Sequence, residues 1–431
     1  MRSSEGTSTV DHWGWPAIAF VMAVWSAGLA LGFDAAVWIL TVVGFAASAL
    51  GLWLPALGLV GIGMLCVLDP FSKDLLPASG LFPWNALDYW LLLVAALHVR
   101  RLAGEFPLPM RFLLGLGLVV TAQLIYSGNL EDGIQHAVGL LSTFGLLVYF
   151  SKLSRAPVDW YWFGLLSGMT GVIASLAFYL SRGTVPDGKF LVLSAVSALL
   201  CICLGYRFVH RPLRRLMLQA AAIANTIWIF LSGSRGSILM ATCCLLFLVH
   251  SARTLSRRLV LLTVGIALTS SMVVLFPGEV DHTLVRLEQL VRPDVELTYK
   301  TSGRSDLVKA GWHMFLNNPL GVGTGNFVPR YVQESYTVDV RYWRGEERTP
   351  HSVWIRTLAE NGLLGTLLLA GMVVSYAWMG WQDRARGGLP IGIFVTAFLT
   401  LGFSVREATA NGLWLAAAGA AAVLADTSDE E

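Results

Sequence analysis

The chain has 431 residues, of which 55% are apolar and only 13% charged, with a formal net charge of +2. An average soluble domain carries about 25% charged residues, so this balance excludes a soluble enzyme with one large core and describes a polytopic membrane protein. The near-neutral total gives no sign of a nucleic-acid partner, and none is expected; the information lies in where the charges fall.

Read at about 20 apolar residues per spanning helix, the sequence holds apolar segments at 15–31, 35–53, 55–68, 84–98, 112–126, 133–150, 160–180, 190–206, 215–232, 236–250, 259–277, 361–380, 389–404 and 409–425. The stretch 35–68 reads as two short helices or one bent element, and 236–250 is short for a span. The expectation is an all-α membrane protein with 12–14 transmembrane helices and one large extramembrane loop. With the N-terminus inside, short inner loops hold fifteen Lys and Arg, against five in the short outer loops (Lys73, Arg182, Lys189, Arg235, Arg406). This bias obeys the positive-inside rule and puts both termini in the cytoplasm. The N-terminal MRSSEGTSTVDHWGWP shows no clear signal-peptidase site, so the first apolar run is expected to be retained.

Residues 278–360 break the pattern with ten Lys/Arg and eleven Asp/Glu, and on this topology they lie outside. Long loops cross the membrane whatever their charge, and a loop this long in a compact protein is usually functional. The chain therefore divides into helices 1–277, a large loop 278–360 and helices 361–431. Cys66, Cys201, Cys203, Cys243 and Cys244 all fall in expected spans and read as small apolar packing residues.

Ionisable groups in or beside spans are costly and tend to be functional. Asp88 could cap a helix, line a cavity or sit in the outer interface. His136 reads as a satisfied interfacial histidine or a ligand. Arg235 stands in SGSRG, a turn between two spans where Gly233 and Gly236 allow tight backbone and Ser232, Ser234 and Ser237 can satisfy freed amides. It is either an anchor that snorkels to water or a planar clamp for phosphate. In TSGRSDLVKAGWHMFLNNP, Ser302 or Ser305 can cap a helix, with Leu307, Trp312 and Phe315 as its apolar stripe and Asn317-Asn318-Pro319 as its stop. Arg304 in its first turn opposes the helix dipole, which points to a negative ligand or to a salt bridge within the loop. The following GVGTGNF lacks the strand of a dinucleotide fingerprint and the Gly-Lys-Ser/Thr of a P-loop. It reads as flexible backbone with free amides near a ligand.

Pro350 holds Thr349 extended, and a helix is expected just after it, with Arg356 and Glu360 spaced as an i,i+4 pair. His351 then stands at the helix mouth, where an imidazole could exchange protons or serve a structural end. Together, SGSRG between spans, SGRSDLVKAGW…NNPLGVGTGNF in the loop and PHSVWIRTLAENGLLG leading into a span resemble the O-antigen ligase superfamily, over residues 230–240 and 301–366. That superfamily also holds Wzy-type O-antigen polymerases and bacterial O-oligosaccharyltransferases.

The resemblance implies a C-type glycosyltransferase architecture in a Gram-negative inner membrane, with the active site facing the periplasm. It implies a glycan donor linked to undecaprenyl diphosphate. In a ligase the acceptor is lipid A–core, in a polymerase another repeat unit, and in an oligosaccharyltransferase a protein hydroxyl. The family's site residues fall on Arg235, Arg304 and His351, the arginines as diphosphate ligands and the histidine as general base. Ser352 follows the histidine where the family often has Asn, and the short tail ADTSDEE favours a ligase or polymerase. Arg182, Lys189, Arg286, Arg292 and Arg341 could join the clamp or be solvated or paired within the chain. The acids of the outer loop are scattered without a DxD motif, so neither metal nor cofactor is expected. A transporter is the alternative from another class, disfavoured by the absence of an inverted hydropathy repeat and by charges gathered at one face.

Overall fold

The computed structural model describes residues 33–50, 61–68, 90–93, 106–153, 157–182, 191–207, 211–251, 277–293, 296–338, 340–386, 388–405 and 411–425, with a few isolated positions besides. Among these residues the protein is all-α, with no strand. The segments expected at 15–31, 84–98 and 259–277 lie almost wholly outside them, as do Asp88, Lys73, Lys189 and Arg406. The chain forms two compact units, one of residues 1–77 with 149–283, the other of 78–148 with 284–431.

In the first unit, α1 (Phe33–Leu50) packs at Gly44 and Gly61 against a helical run at 61–68, so the stretch expected as one or two elements is two helices. Glycine also brings α4 (Pro157–Arg182) against α5 (Leu191–Arg207): a side chain at Gly164 or Gly205 would meet the partner helix backbone within 2.8 Å. Small residues at such crossings let backbones approach where lipid supplies no hydrophobic drive between helices. α6 (Pro212–Leu231) follows, tied to α4 by the buried Asn225, whose Nδ2 donates to the Gly168 carbonyl at 3.0 Å, and then α7 (Arg235–His250). Cys66, Cys201, Cys203 and Cys244 are buried free thiols in this packing, and Cys243 is half-buried.

In the second unit, α2 (Leu108–Ala122) ends in a 3₁₀ turn (Gln123–Tyr126) and precedes α3 (Leu130–Leu153). The large loop is helical: α8 (Pro277–Val291), whose first seven residues belong to the first unit, α9 (Leu297–Lys300), α10 (Arg304–Asn317) and α11 (Phe327–Thr337). α12 (Val353–Gln382), α13 (Gly388–Val405) and α14 (Asn411–Ala425) close the chain. Four helical stretches are long and apolar enough to cross a membrane by length and composition: Leu108–Tyr126, Trp160–Leu180, Val353–Gln382 and Gly388–Val405. Such helices satisfy their own backbone, which is why apolar runs in a membrane protein fold this way. α2 runs antiparallel to α12, with Phe112 against Gly371, Leu368 against Gly115, and Gln123 bonded to Asn361.

The loop has its own core of Leu307, Ala310, Met314, Phe327, Tyr331, Val340 and Ala359. This corrects the expected stripe on α10. Leu307 is buried, but Trp312 is exposed and Phe315 only half-buried. Ala310, Gly311 and Met314 take the inner face because Ile355 of α12 comes close enough to Gly311 to leave no room for a side chain there. The cap differs too. Neither Ser302 nor Ser305 caps α10; Gly303 is its N-cap, and the Thr301 hydroxyl accepts the Ser305 amide at 3.1 Å. The expected stop at Asn317-Asn318 is where α10 ends.

α12 is broken at Gly362, whose φ of 64° and ψ of −157° are open only to glycine. The glycine turn 321–325 fills the break, with φ of 94°, 94° and 85° at Gly321, Gly323 and Gly325. Val322 and Gly323 donate to the freed carbonyls of Ala359 and Glu360 at 2.9 and 3.0 Å, and Leu363 donates to Pro319 at 3.0 Å. The amides of Val322 and Gly323 are thus spent on backbone, not held free for a ligand as the glycine-rich sequence led us to expect. A side chain at Gly362 would strike the Pro319 carbonyl, and one at Gly321 the Glu360 carbonyl. Gly362→Ala is expected to lower stability by about 1–3 kcal/mol, read as a fall in thermal midpoint in detergent; an unchanged midpoint would show that the break is not strained.

Candidate functional site

Two of the three expected site residues belong to the second unit. α10 runs parallel to the start of α12, since Gly311 faces Ile355 and residues 319–323 face 359–363. Arg304 therefore lies about 10 Å back from Gly311 at 1.5 Å rise per residue, and His351 lies just before α12, so both stand at the same end of the pair. Arg304 is exposed and His351 half-buried.

The backbone presents both residues in the same unusual way. Ser302 and Gly303, just ahead of Arg304, have φ of 53° and 78°, and His351 itself has φ of 50°. Ser302 and His351 are the two non-glycine residues with positive φ among the described residues. Such backbone is uncommon for an L-residue and persists where its surroundings hold it. At His351 the holders are visible. Pro350 before it is buried, and so is Ser352 after it. The Ser352 hydroxyl donates to the Phe403 carbonyl of α13 at 3.2 Å and accepts the Ile355 amide at 3.4 Å, capping α12. The imidazole is thus carried on a pinned turn.

Below that turn lies a buried ionic network. The expected Arg356–Glu360 pair is present, with Arg356 Nε donating to Glu360 Oε2 at 3.1 Å. Arg356 Nη2 also donates to Asp132 Oδ2 of α3 at 2.6 Å. His136 Nδ1 lies 3.4 Å from Glu360 Oε2, and Glu360 Oε1 accepts the Phe327 amide at 3.1 Å, capping α11. Arg356, Glu360 and His136 are all buried. His136 is thus an interior histidine set beside a carboxylate and not an interfacial one, and its Nδ1 makes no well-formed hydrogen bond. Beside it, Asn361 Nδ2 donates to Gln123 Oε1 at 2.6 Å and to Thr324 Oγ1 at 3.0 Å. The joining of Asp132 and His136 to α12 has no sequence signal beyond their i,i+4 spacing in LEDGIQH; their partners lie more than 200 residues away.

Other polar groups of the loop are occupied by structure. The buried Asp306 accepts the Arg341 and Tyr342 amides at 3.2 and 3.0 Å. Arg341 pairs with Glu296 and Arg292 with Glu288, both exposed, and the Arg348 guanidinium stacks 4.6 Å from the Trp343 ring centre. Burial, with the Asp306 carboxylate second, pushes the Tyr331 phenol up to about 12, so it stays neutral. Among the described residues no three His, Cys, Asp or Glu side chains gather as a metal-binding set.

Arg235 belongs to the first unit. The SGSRG turn is tight as expected, with Gly233 at φ 61°. The Ser232 hydroxyl donates to Ile229 at 2.6 Å and accepts the Ser234 amide at 3.4 Å, while the Ser234 and Ser237 hydroxyls pair at 3.0 Å. Arg235 is half-buried and is the first residue of α7. Arg304 is likewise the first residue of α10. Each arginine adds its charge to the positive end of a helix, an arrangement unfavourable by itself and favourable once an anion is present.

The family model described as O-antigen ligase matches residues 220–370. That stretch contains the SGSRG turn, Arg304, the glycine turn, His351 and the break in α12. No curated protein matches the chain.

Proposed function

We propose that this chain, whose residues 220–370 match the O-antigen ligase family model, is the ligase of lipopolysaccharide O-antigen. In this reading it is a multi-pass protein of the bacterial inner membrane, with C-type glycosyltransferase architecture, both termini cytoplasmic and its active site periplasmic. It takes the glycan from undecaprenyl diphosphate and passes it to a sugar hydroxyl of lipid A–core. The observation that supports this most is the placing of Arg304 and His351 at one end of α10 and α12, His351 on left-handed backbone and Arg304 directly after the left-handed Ser302 and Gly303.

The chemistry suits these residues. The acceptor oxygen attacks the anomeric carbon, the bond from that carbon to the diphosphate oxygen breaks, and the diphosphate leaves with the electron pair. His351 takes the acceptor proton as general base. Arg235 and Arg304 are the diphosphate ligands, offsetting the charge that builds on the leaving group with planar, permanently charged donors. Inversion at the anomeric carbon follows from single displacement.

The test is transfer by purified protein from a defined undecaprenyl-diphosphate glycan to lipid A–core. Glycosylated lipid A–core is expected, at an undiminished rate in EDTA. Extension of the donor glycan without modification of lipid A–core would identify a polymerase and overturn the ligase reading. Loss of activity in EDTA with recovery in Mg²⁺ would sink the arginine account.

A further inference from the structure

α10 has a second apolar face that the loop core does not use. Val308, Trp312 and Leu316 recur every four residues along it and are 44%, 51% and 57% exposed, and Leu320 just beyond its end is 84% exposed. Residues four apart lie on one side of a helix. Leu307, Ala310 and Met314 point the other way into the core, so α10 is apolar on both sides.

The outward stripe runs into the exposed apolar surface of α12 in the same unit. The Leu320 carbonyl accepts Gln123 Nε2 at 2.8 Å, at the end of the Leu108–Tyr126 span. The Leu320 backbone also abuts Gly362. Immediately after that glycine, Leu363 and Leu367 face outward from the long apolar helix α12, both more than half exposed. One apolar surface therefore continues from the outer face of α12 through Leu320 and up α10. Exposed Arg304 and Lys309 lie at the far end of the stripe, and a tryptophan stands at its middle. Apolar and aromatic residues on one side, with cations beside them, characterise a helix lying at a membrane surface.

We propose that α10 is an interfacial helix whose Val308–Trp312–Leu316–Leu320 stripe is embedded in the headgroup–acyl boundary of the phospholipid leaflet that surrounds α12. The loop then rests in the bilayer surface instead of standing off it, which holds Arg304 at the depth of lipid phosphates. This concerns lipid contact alone and stands whether or not the chain transfers glycan.

The test uses full-length protein in phosphatidylcholine–phosphatidylglycerol nanodiscs. Nitroxide labels are introduced singly through Val308→Cys, Trp312→Cys, Leu316→Cys and Leu320→Cys, with Lys309→Cys and Asn317→Cys as exposed polar controls. The native cysteines are buried or half-buried, and the signal of the labelled parent is subtracted. Oxygen accessibility is expected to exceed that of a water-soluble nickel chelate at the four stripe positions, with the order reversed at 309 and 317. Greater nickel accessibility along the stripe overturns the proposal, because the face is then in water. Low accessibility to both reagents overturns it too, because the face is then covered by protein, a second copy included. A milder variant, Trp312→Phe, is expected to reduce the part of the tryptophan emission quenched by lipids brominated near the headgroup; an unchanged quenched fraction counts against lipid contact.

Discussion

Replacing His351 with Ala is expected to lower the rate of glycan transfer by about 10²- to 10⁴-fold, the usual worth of a positioned general base. Binding of the lipid diphosphate should change little, because the loss is of proton transfer and not of charge. The turn that carries His351 makes a sharper version possible. At φ 50° this residue sits in left-handed backbone, a conformation that costs an ordinary L-residue about 1–3 kcal/mol and glycine almost nothing. His351→Gly should therefore be as inactive as the alanine variant and no less stable than the parent. Activity is read with defined donor and acceptor in detergent, stability by thermal unfolding of the same preparation. A variant that keeps full activity removes the general base from the mechanism. One that loses activity and stability together reduces His351 to a structural part of the turn.

The second large effect is expected from Arg356→Met. It takes from the fully buried Glu360 its guanidinium, leaving only the His136 imidazole at 3.4 Å, and takes from Asp132 a partner at 2.6 Å. Removing one member of a buried ion pair costs about 3–5 kcal/mol, because the remaining charge stays desolvated. Pairing the change with Glu360→Gln should recover part of that loss. The glutamine oxygen can still accept the Phe327 amide that caps α11, and it carries no charge to strand. Unfolding midpoints of the two single variants and the double variant form a cycle whose coupling measures the pair. If Arg356→Met unfolds within about 1 kcal/mol of the parent, the network is ornamental to stability. The cost should also reach activity, since Glu360 ties the first two turns of α12, which follow His351, to the glycine turn and α11.

Much of this protein can be read from its sequence because lipid narrows the choices. An apolar run with no water to satisfy its backbone must become a helix, and the described apolar helices from Leu108–Ala122 to Asn411–Ala425 fall on the expected segments to within a turn or so, whereas α8, α9 and α11 of the polar loop fall on none. The exception is α12, which begins at Val353 and not near 361, because Ser352 caps it well ahead of the apolar stretch. Arg356 and Glu360 were legible as a pair because they are one helical turn apart. Asp132 and His136 were not legible as its other half, since that meeting depends on how α3 packs on α12.

The loop shows the same division within a few residues. Its stop at Asn317-Asn318-Pro319 is local chemistry and needs no neighbour. The buried face of α10 is set by where α12 lies, which is why Gly311 and Met314 point inward and Trp312 does not. The break at Gly362 falls on an Asn-Gly pair at the head of an apolar run, a turn signal that gives no hint of its partner, and it takes up the glycine turn's amides that would otherwise have looked ready for a ligand.

By itself, then, the sequence determined the class of the molecule, the positions of its described apolar helices and the three motifs that carry the family resemblance, since each depends on local composition or short spacing. Tertiary structure alone decided which polar groups are available for chemistry. A carboxylate, an amide or an imidazole is usable only if no distant segment has already satisfied it. In this chain those segments lie tens to hundreds of residues away.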